Sequence, residues 1–357
     1  MQPPVLHATD PVHVIWNDTE YLFFGGYDYH RLSRHPGVLA AAENALRTSG
    51  LNSGGARGTT GTHPLHLELE ARLSTFLGTA DSVFLPAGFM ANLALLESLA
   101  EEDYICYFHP ECHPSLTAAI RMSGLPKIAI AASIEDLESE IAWNEKKPLI
   151  VTDGLYGTLP PLPDYLGLAE KYDGLLIIDE AHALGILGKH GRGAAEHFGL
   201  QSERILLSGS LSKAAGSGGG FVSGPAHYMD AVRRTCTYGT TSAVSLPVTA
   251  AGIAALDFLS AHTAMIADFR ERCLKTKQAL ADMGFPVPVI PTPVIGIIVP
   301  ETDKTVCLKD ALIKAGIYPS LIRYHGKPDY FRFALSSAHS EGDIERLLDV
   351  LGTFRKM

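Results

Sequence analysis

A chain of 357 residues, 46% hydrophobic and 19% charged, has the composition of a folded enzyme and not of a disordered or fibrous protein. Its formal net charge of -10 argues against a nucleic-acid-binding face, which is normally basic. No apolar run is long enough to span a bilayer, and Met1-Gln-Pro-Pro begins no signal peptide, so a cytoplasmic protein with no membrane partner is expected.

The length allows two domains, or one large domain with an appendage. Residues 1–48 are expected to pack with a C-terminal domain. From about residue 64 to 235, helical and strand patterns alternate. His66 to Leu77 predicts an amphipathic helix, Ser82 to Leu85 a short strand and Gly88 to Leu99 a helix. Tyr104 to Phe108 predicts a strand and Ser115 to Met122 a helix. Lys127 to Ile130 and Pro148 to Thr152 predict strands, with a helix near Ile134 to Trp143 between them. Tyr165 to Tyr172 predicts a helix, and Gly174 to Ile178 is an apolar run suited to a strand buried on both faces. Arg204 to Leu207 predicts another strand. This alternation implies an α/β fold: a mostly parallel central sheet with helices on both faces. From about Ser245 the character changes. Leu246 to Met283 predicts a long helical stretch, and strand and helix patterns mix from Pro286 to Met357. Residues 49–244 are thus expected to form a large domain and residues 245–357 a smaller α+β domain.

Two segments carry the chemistry. Gly174-Leu-Leu-Ile-Ile-Asp179-Glu-Ala-His182 places an acid and a histidine where an apolar strand ends. Ser208-Gly-Ser-Leu-Ser-Lys213-Ala-Ala-Gly-Ser-Gly-Gly-Gly220 places one lysine on a loop of small residues, which lets a ligand approach the backbone closely. Together they supply what pyridoxal phosphate needs: an amine for the Schiff base, a carboxylate for the pyridine nitrogen and a donor near the ring hydroxyl. Alone, Lys213 could sit on an ordinary glycine loop and Asp179 could cap a turn. Pro86-Ala-Gly88-Phe89-Met-Ala-Asn92 starts a helix whose amides suit a phosphate. His113 follows a predicted strand and could stack on the cofactor ring. Arg332 alternates with apolar residues in Tyr330-Phe-Arg332-Phe, which suits carboxylate binding from one strand face. The cysteines Cys106, Cys112, Cys236, Cys273 and Cys307 form no CxxC pair and suit reduced thiols. Cys112 lies between His109 and His113, but no second ligand pair closes a tetrahedral zinc site.

From about Tyr21 to Phe354 the chain resembles the α-oxoamine synthases, a family of fold type I pyridoxal phosphate enzymes. Asp179-Glu-Ala-His182-Ala-Leu-Gly-Ile-Leu-Gly-Lys-His-Gly191-Arg192-Gly193 is close to that family's most specific signature, and Gly54-Gly-Ala-Arg-Gly-Thr-Thr-Gly resembles its glycine-rich segment. The resemblance implies that Lys213 is the Schiff-base lysine. It pairs Asp179 with the pyridine nitrogen and His182 with the ring hydroxyl, and it stacks His113 on the ring. It assigns the phosphate to the amides of Gly88 and Phe89 with Ser210, and the substrate carboxylate to Arg332. Tyr238-Gly-Thr240-Thr241 resembles a segment that reaches the partner subunit's phosphate, which implies a homodimer with shared active sites. Two departures surround the substrate. Tyr27 stands where the family has an asparagine that helps hold the amino-acid carboxylate. Gly157 stands where a serine is common, and the loop after it is shortened.

The reaction implied condenses a small amino acid with an acyl thioester, from acyl-CoA or an acyl carrier protein, with decarboxylation to an α-amino ketone. The departures keep open an aminotransferase, or an aldolase or lyase, acting on an amino acid. A non-catalytic relative is opposed by the intact Lys213, Asp179, His182 and Arg332.

Overall fold

The computed structural model describes residues 4–130, 133–299, 301–323 and 328–356. A three-stranded antiparallel sheet comes first: β1 (His7–Ala8), β2 (His13–Trp16) and β3 (Thr19–Leu22). Helices α1 (Pro36–Ser49) and α2 (Pro64–Leu77) follow. Each opens on a proline, where no intrahelical N–H is required, and each is capped by the preceding histidine side chain, His35 or His63.

The central sheet contains β4 (Asp81–Leu85), β5 (Tyr104–Phe108), β6 (Lys127–Ala129), β7 (Lys147–Asp153), β8 (Leu175–Asp179), β9 (Ile205–Ser210) and β10 (Gly220–Gly224), in the order β4-β10-β9-β8-β7-β5-β6. Between the strands lie α3 (Gly88–Glu97), α4 (Pro114–Met122), α5 (Ile134–Asn144), α6 (Leu162–Lys171) and the short α7 (Ala194–His197). All five residues of β8 are buried. Leu149 and Val151 of β7 pack into one apolar layer and Ile150 into the other, so the sheet is covered on both faces.

Only β10 runs against its neighbours, antiparallel to β4 and to β9. The connection from β9 is too short for a crossover helix, so the strand must return as a hairpin. Leu211 N–H donates to Gly219 O at 3.1 Å and Ser217 N–H to Leu211 O at 3.0 Å, closing that hairpin. This corrects the sequence reading twice. Ser208 and Ser210 belong to β9, where a loop was expected after Leu207, and the glycine run ends in a strand.

The remainder comprises α8 (Ala226–Arg233), α9 (Cys236–Thr240), α10 (Leu246–Ala261), α11 (Thr263–Asp282), β11 (Val294–Ile298), α12 (Thr302–Lys314), β12 (Leu321–Ile322), β13 (Tyr330–Ala334) and α13 (Glu341–Arg355). The single helical stretch expected over Leu246 to Met283 is two helices, broken at His262 and bent by 80°. Among the described residues, no single helix is long and apolar enough to cross a membrane. β11, β13 and β12 form an antiparallel sheet. The chain's N-terminal part reaches it through Leu22 N–H to Gly316 O (2.9 Å), Tyr318 N–H to Leu22 O (2.9 Å) and Ala334 N–H to Phe24 O (2.7 Å). Helix α1 instead packs along α10.

Candidate active site

The carboxyl ends of parallel strands form the natural binding edge of an open α/β sheet. Here β7 and β8 end in register on two acids, Asp153 and Asp179, and Ser208 of β9 pairs with Asp179 on its other side. Asp179 is buried and its carboxylate is fixed at both oxygens. Asn92 Nδ2 donates to Oδ2 at 2.8 Å, and the Ala181 N–H donates to Oδ1 at 2.8 Å. Asn92 is itself held by Ser208 Oγ, which donates to its Oδ1 at 2.6 Å. The chain α3–β8–β9 therefore sets one acid in one orientation.

His182 is buried, with Nδ1 2.7 Å from the Tyr29 hydroxyl. Burial first, then the electrostatic influence of Lys213, His113 and Arg332, holds the imidazole well below the usual histidine range. His113 caps α4: its Nδ1 accepts from the Ser115 N–H at 3.2 Å and lies 2.7 Å from Ser115 Oγ. A backbone N–H can only donate, so His113 carries its proton on Nε2 in the neutral form. Its backbone N–H donates to Asp153 Oδ2 at 2.8 Å. Burial, followed by Lys213, also lowers the His113 pKa. Burial pushes the Asp153 carboxyl up, and the adjacent Asp179 charge adds to that. The Lys213 amine is pulled down by burial, opposed by Asp179 and Asp153 and reinforced by Arg332. These shifts put Lys213, His113, His182, Asp179, Asp153 and Arg332 within one electrostatic neighbourhood.

Gly88 and Phe89 begin α3 ahead of its first intrahelical bond, Ala91 N–H to Ala87 O, so their N–H groups lie free of helical partners. A Cβ at Gly88 would lie 3.1 Å from Ser210 Cβ and 3.3 Å from Gly209 O. The helix start thus presses on the end of β9, beside the Ser210 and Ser212 hydroxyls, which are 2.7 Å apart. Helix-start amides, two hydroxyls, a half-buried amine and an oriented carboxylate fit pyridoxal phosphate as a donor set.

Arg332, on β13, donates to Gly26 O at 3.3 Å, which ties it to the turn carrying Tyr27 and Tyr29. Tyr27 is exposed, and a side chain at Gly157 would meet open space. Thr240 Oγ1 donates to Cys236 O at 2.8 Å and Thr241 Oγ1 to Thr237 O at 2.5 Å, so both hydroxyls turn onto their own helix. Among the described contacts, none joins them to the Lys213 cluster.

Sequence reasoning missed Tyr29, Asn92, Asp153 and Tyr156. The Tyr156 ring centroid lies 5.3 Å from that of His113 and 5.4 Å from that of His182. Asp153 had a readable signal: like Asp179, it ends a strand with an apolar centre, here Leu149-Ile-Val151.

Residues 19–351 match the family model described as aminotransferase class I and II. The sequence is 34% identical to 8-amino-7-oxononanoate synthase of Methylobacillus flagellatus, covering 98% of this chain and 91% of that protein. It is 29% identical to serine palmitoyltransferase of Sphingobacterium spiritivorum, over 96% of this chain and 89% of that one. The solved serine palmitoyltransferase of Sphingomonas wittichii matches with a TM-score of 0.91 at 25% identity, over 99% of this chain and 93% of that one. The chain belongs to the aminotransferase class I and II family, in which it is an α-oxoamine synthase with pyridoxal 5'-phosphate as its cofactor.

Proposed function

We propose that this enzyme joins the α-carbon of a small amino acid to the acyl carbon of an acyl-CoA. One C–C bond forms as the C–S bond breaks and the thiolate leaves, to be protonated. Carbon dioxide then departs from the α-carbon, which takes back a proton, and an α-amino ketone results. When bound, pyridoxal phosphate supplies an electron sink for the pair released at the α-carbon.

The residues divide the remaining work. Arg332, already directed by its bond to Gly26 O, holds the amino-acid carboxylate, with Tyr27 nearby. Lys213 Nζ takes the α-proton; burial lowers its pKa and so makes the free amine accessible. Asp179, fixed by Asn92 and the Ala181 N–H, keeps the pyridine nitrogen protonated. His182 would meet the ring hydroxyl and His113 would cover the ring. The amides of Gly88 and Phe89, with Ser210, would take the phosphate. Residues 49–244 act as the large domain; residues 1–48 and 245–357 act as the small one.

The enzyme works in the cytoplasm as a homodimer. Leu39 and Leu46 of α1, Leu51, Leu67 of α2 and Phe89 of α3 are exposed, which supports an apolar self-association face. Thr240 and Thr241, unattached to their own chain's lysine cluster, reach the partner's phosphate across it.

The observation that carries this reading is the buried Ser208–Asn92–Asp179 relay within the neighbourhood of Lys213. Free-thiol release by the holoenzyme tests it, with small L-amino acids crossed against acyl-CoA thioesters. Release that requires both partners is expected. Amino-group transfer without a thioester would instead establish transamination, the reading that Tyr27 keeps in contention.

A further inference from the structure

Next to the lysine cluster lies a cavity of about 690 Å³, whose lining includes Glu111, Ile134, Asp153, Tyr156, Gly157 and Tyr165. It shares two groups with the reaction centre. Tyr156 stands against His113 and His182, and Asp153 receives the His113 N–H. The shortened loop from Gly157 to Pro161 forms one side, and a Cβ at Gly157 would meet no atom within 4 Å. Pockets of roughly 300–1,000 Å³ hold drug-sized ligands, so this space far exceeds the side chain of a small amino acid.

Its fixed charge is one-sided. Glu111 and the buried Asp153 line it together with the imidazole of His109, and no lysine or arginine does among the described residues. Asp153 already sits beside a second carboxylate, Asp179. The nearby cations, Lys213 and Arg332, lie outside the lining. An anion entering here would be desolvated beside two acids, with the His109 imidazole and a few hydroxyls but no lysine or arginine to pair with. Ile130, Ile134, Leu159 and the Tyr165 ring give the cavity an apolar wall that suits a carbon chain.

We propose that this cavity seats the acyl group of the thioester, and that it selects an uncharged acyl chain over one ending in a carboxylate. This rests on the acyl-thioester reading above.

The test compares octanoyl-CoA with suberoyl-CoA, its counterpart ending in a carboxylate, in thiol release by the holoenzyme with its best amino acid. In the unaltered enzyme, kcat/KM for octanoyl-CoA should exceed that for suberoyl-CoA by about tenfold or more. Glu111→Lys puts a cation on the lining and should shrink that ratio by about tenfold through the suberoyl KM. Gly157→Trp fills open space without backbone strain and should cut the octanoyl-to-acetyl ratio by about tenfold. Equal or reversed preference in the unaltered enzyme would overturn the proposal, as would ratios that neither variant moves. Thiol release with the wrong preference removes this inference alone, whereas no release from any thioester removes the acyltransferase reading with it.

Discussion

The two sides of the reaction centre are built differently. On the α3–β8–β9 side, Asp179, Asn92 and Ser208 are all buried, and each polar end has a partner at 2.6 to 2.8 Å. On the β5–β7 side, Asp153 and Tyr156 border a cavity, Tyr156 and Glu111 are exposed, and the loop beyond is short. A saturated network in a low-dielectric interior tolerates one arrangement only, because any lost partner leaves a costly orphan. An open wall of mixed character tolerates exchange. The first side suits chemistry that stays constant, the second a substrate that differs between relatives.

The largest test of that contrast is Lys213→Ala, which should reduce thiol release by on the order of 10⁴-fold at saturating substrates. Asp179→Asn comes next: it keeps the shape but removes the charge, and should cost on the order of 10²-fold in kcat. Asn92→Ala leaves one carboxylate oxygen and the Ser208 hydroxyl without partners, so a denaturant melt should show a loss of about 1–3 kcal/mol. On the other side, Tyr156→Ala should change the acyl-thioester KM by about tenfold with a small change in unfolding free energy. An equal stability loss at both positions would dissolve the distinction. The smallest effect is pH-dependent. Burial holds His30 and His339 down to about 4, from an ordinary 6.5. The unfolded chain therefore binds these protons first. The buried Asp153 and Glu180 carboxyls, raised to about 7, act in the opposite sense over the same range, so the two imidazoles are isolated by comparison: the melting-temperature advantage of the enzyme over a His30→Gln, His339→Gln variant should shrink as pH drops from about 6.5 to about 4. An advantage that stays constant across this window would show that the two imidazoles titrate normally.

What was legible follows from locality. Lys213, Asp179, His182, Gly88 and Ser210 all lie where an apolar strand ends or a helix begins, and those boundaries repeat within a few residues of sequence. Asn92 and Tyr29 could not be read that way. Asn92 gains its meaning from Asp179 and Ser208, and Tyr29 from His182, through contacts made only after the sheet is assembled. β10 escaped because Gly220-Phe-Val-Ser-Gly224 offers too few side chains to show a two-residue period. The break between α10 and α11 escaped because neither proline nor glycine marks His262.

The hairpin between β9 and β10 has a consequence for turnover. Lys213 sits in a loop tied at Leu211, Gly219 and Ser217, and its own carbonyl accepts the Gly216 N–H at 2.9 Å. In the proposed reaction, a substrate amine that displaces this lysine would compete with a group that cannot diffuse away. The tethered amine recaptures its position at an effective concentration that no free amine in the cell can match. In the reading proposed above, the Lys213 side-chain amine would thereby displace the product, and each catalytic cycle would end with the site reset.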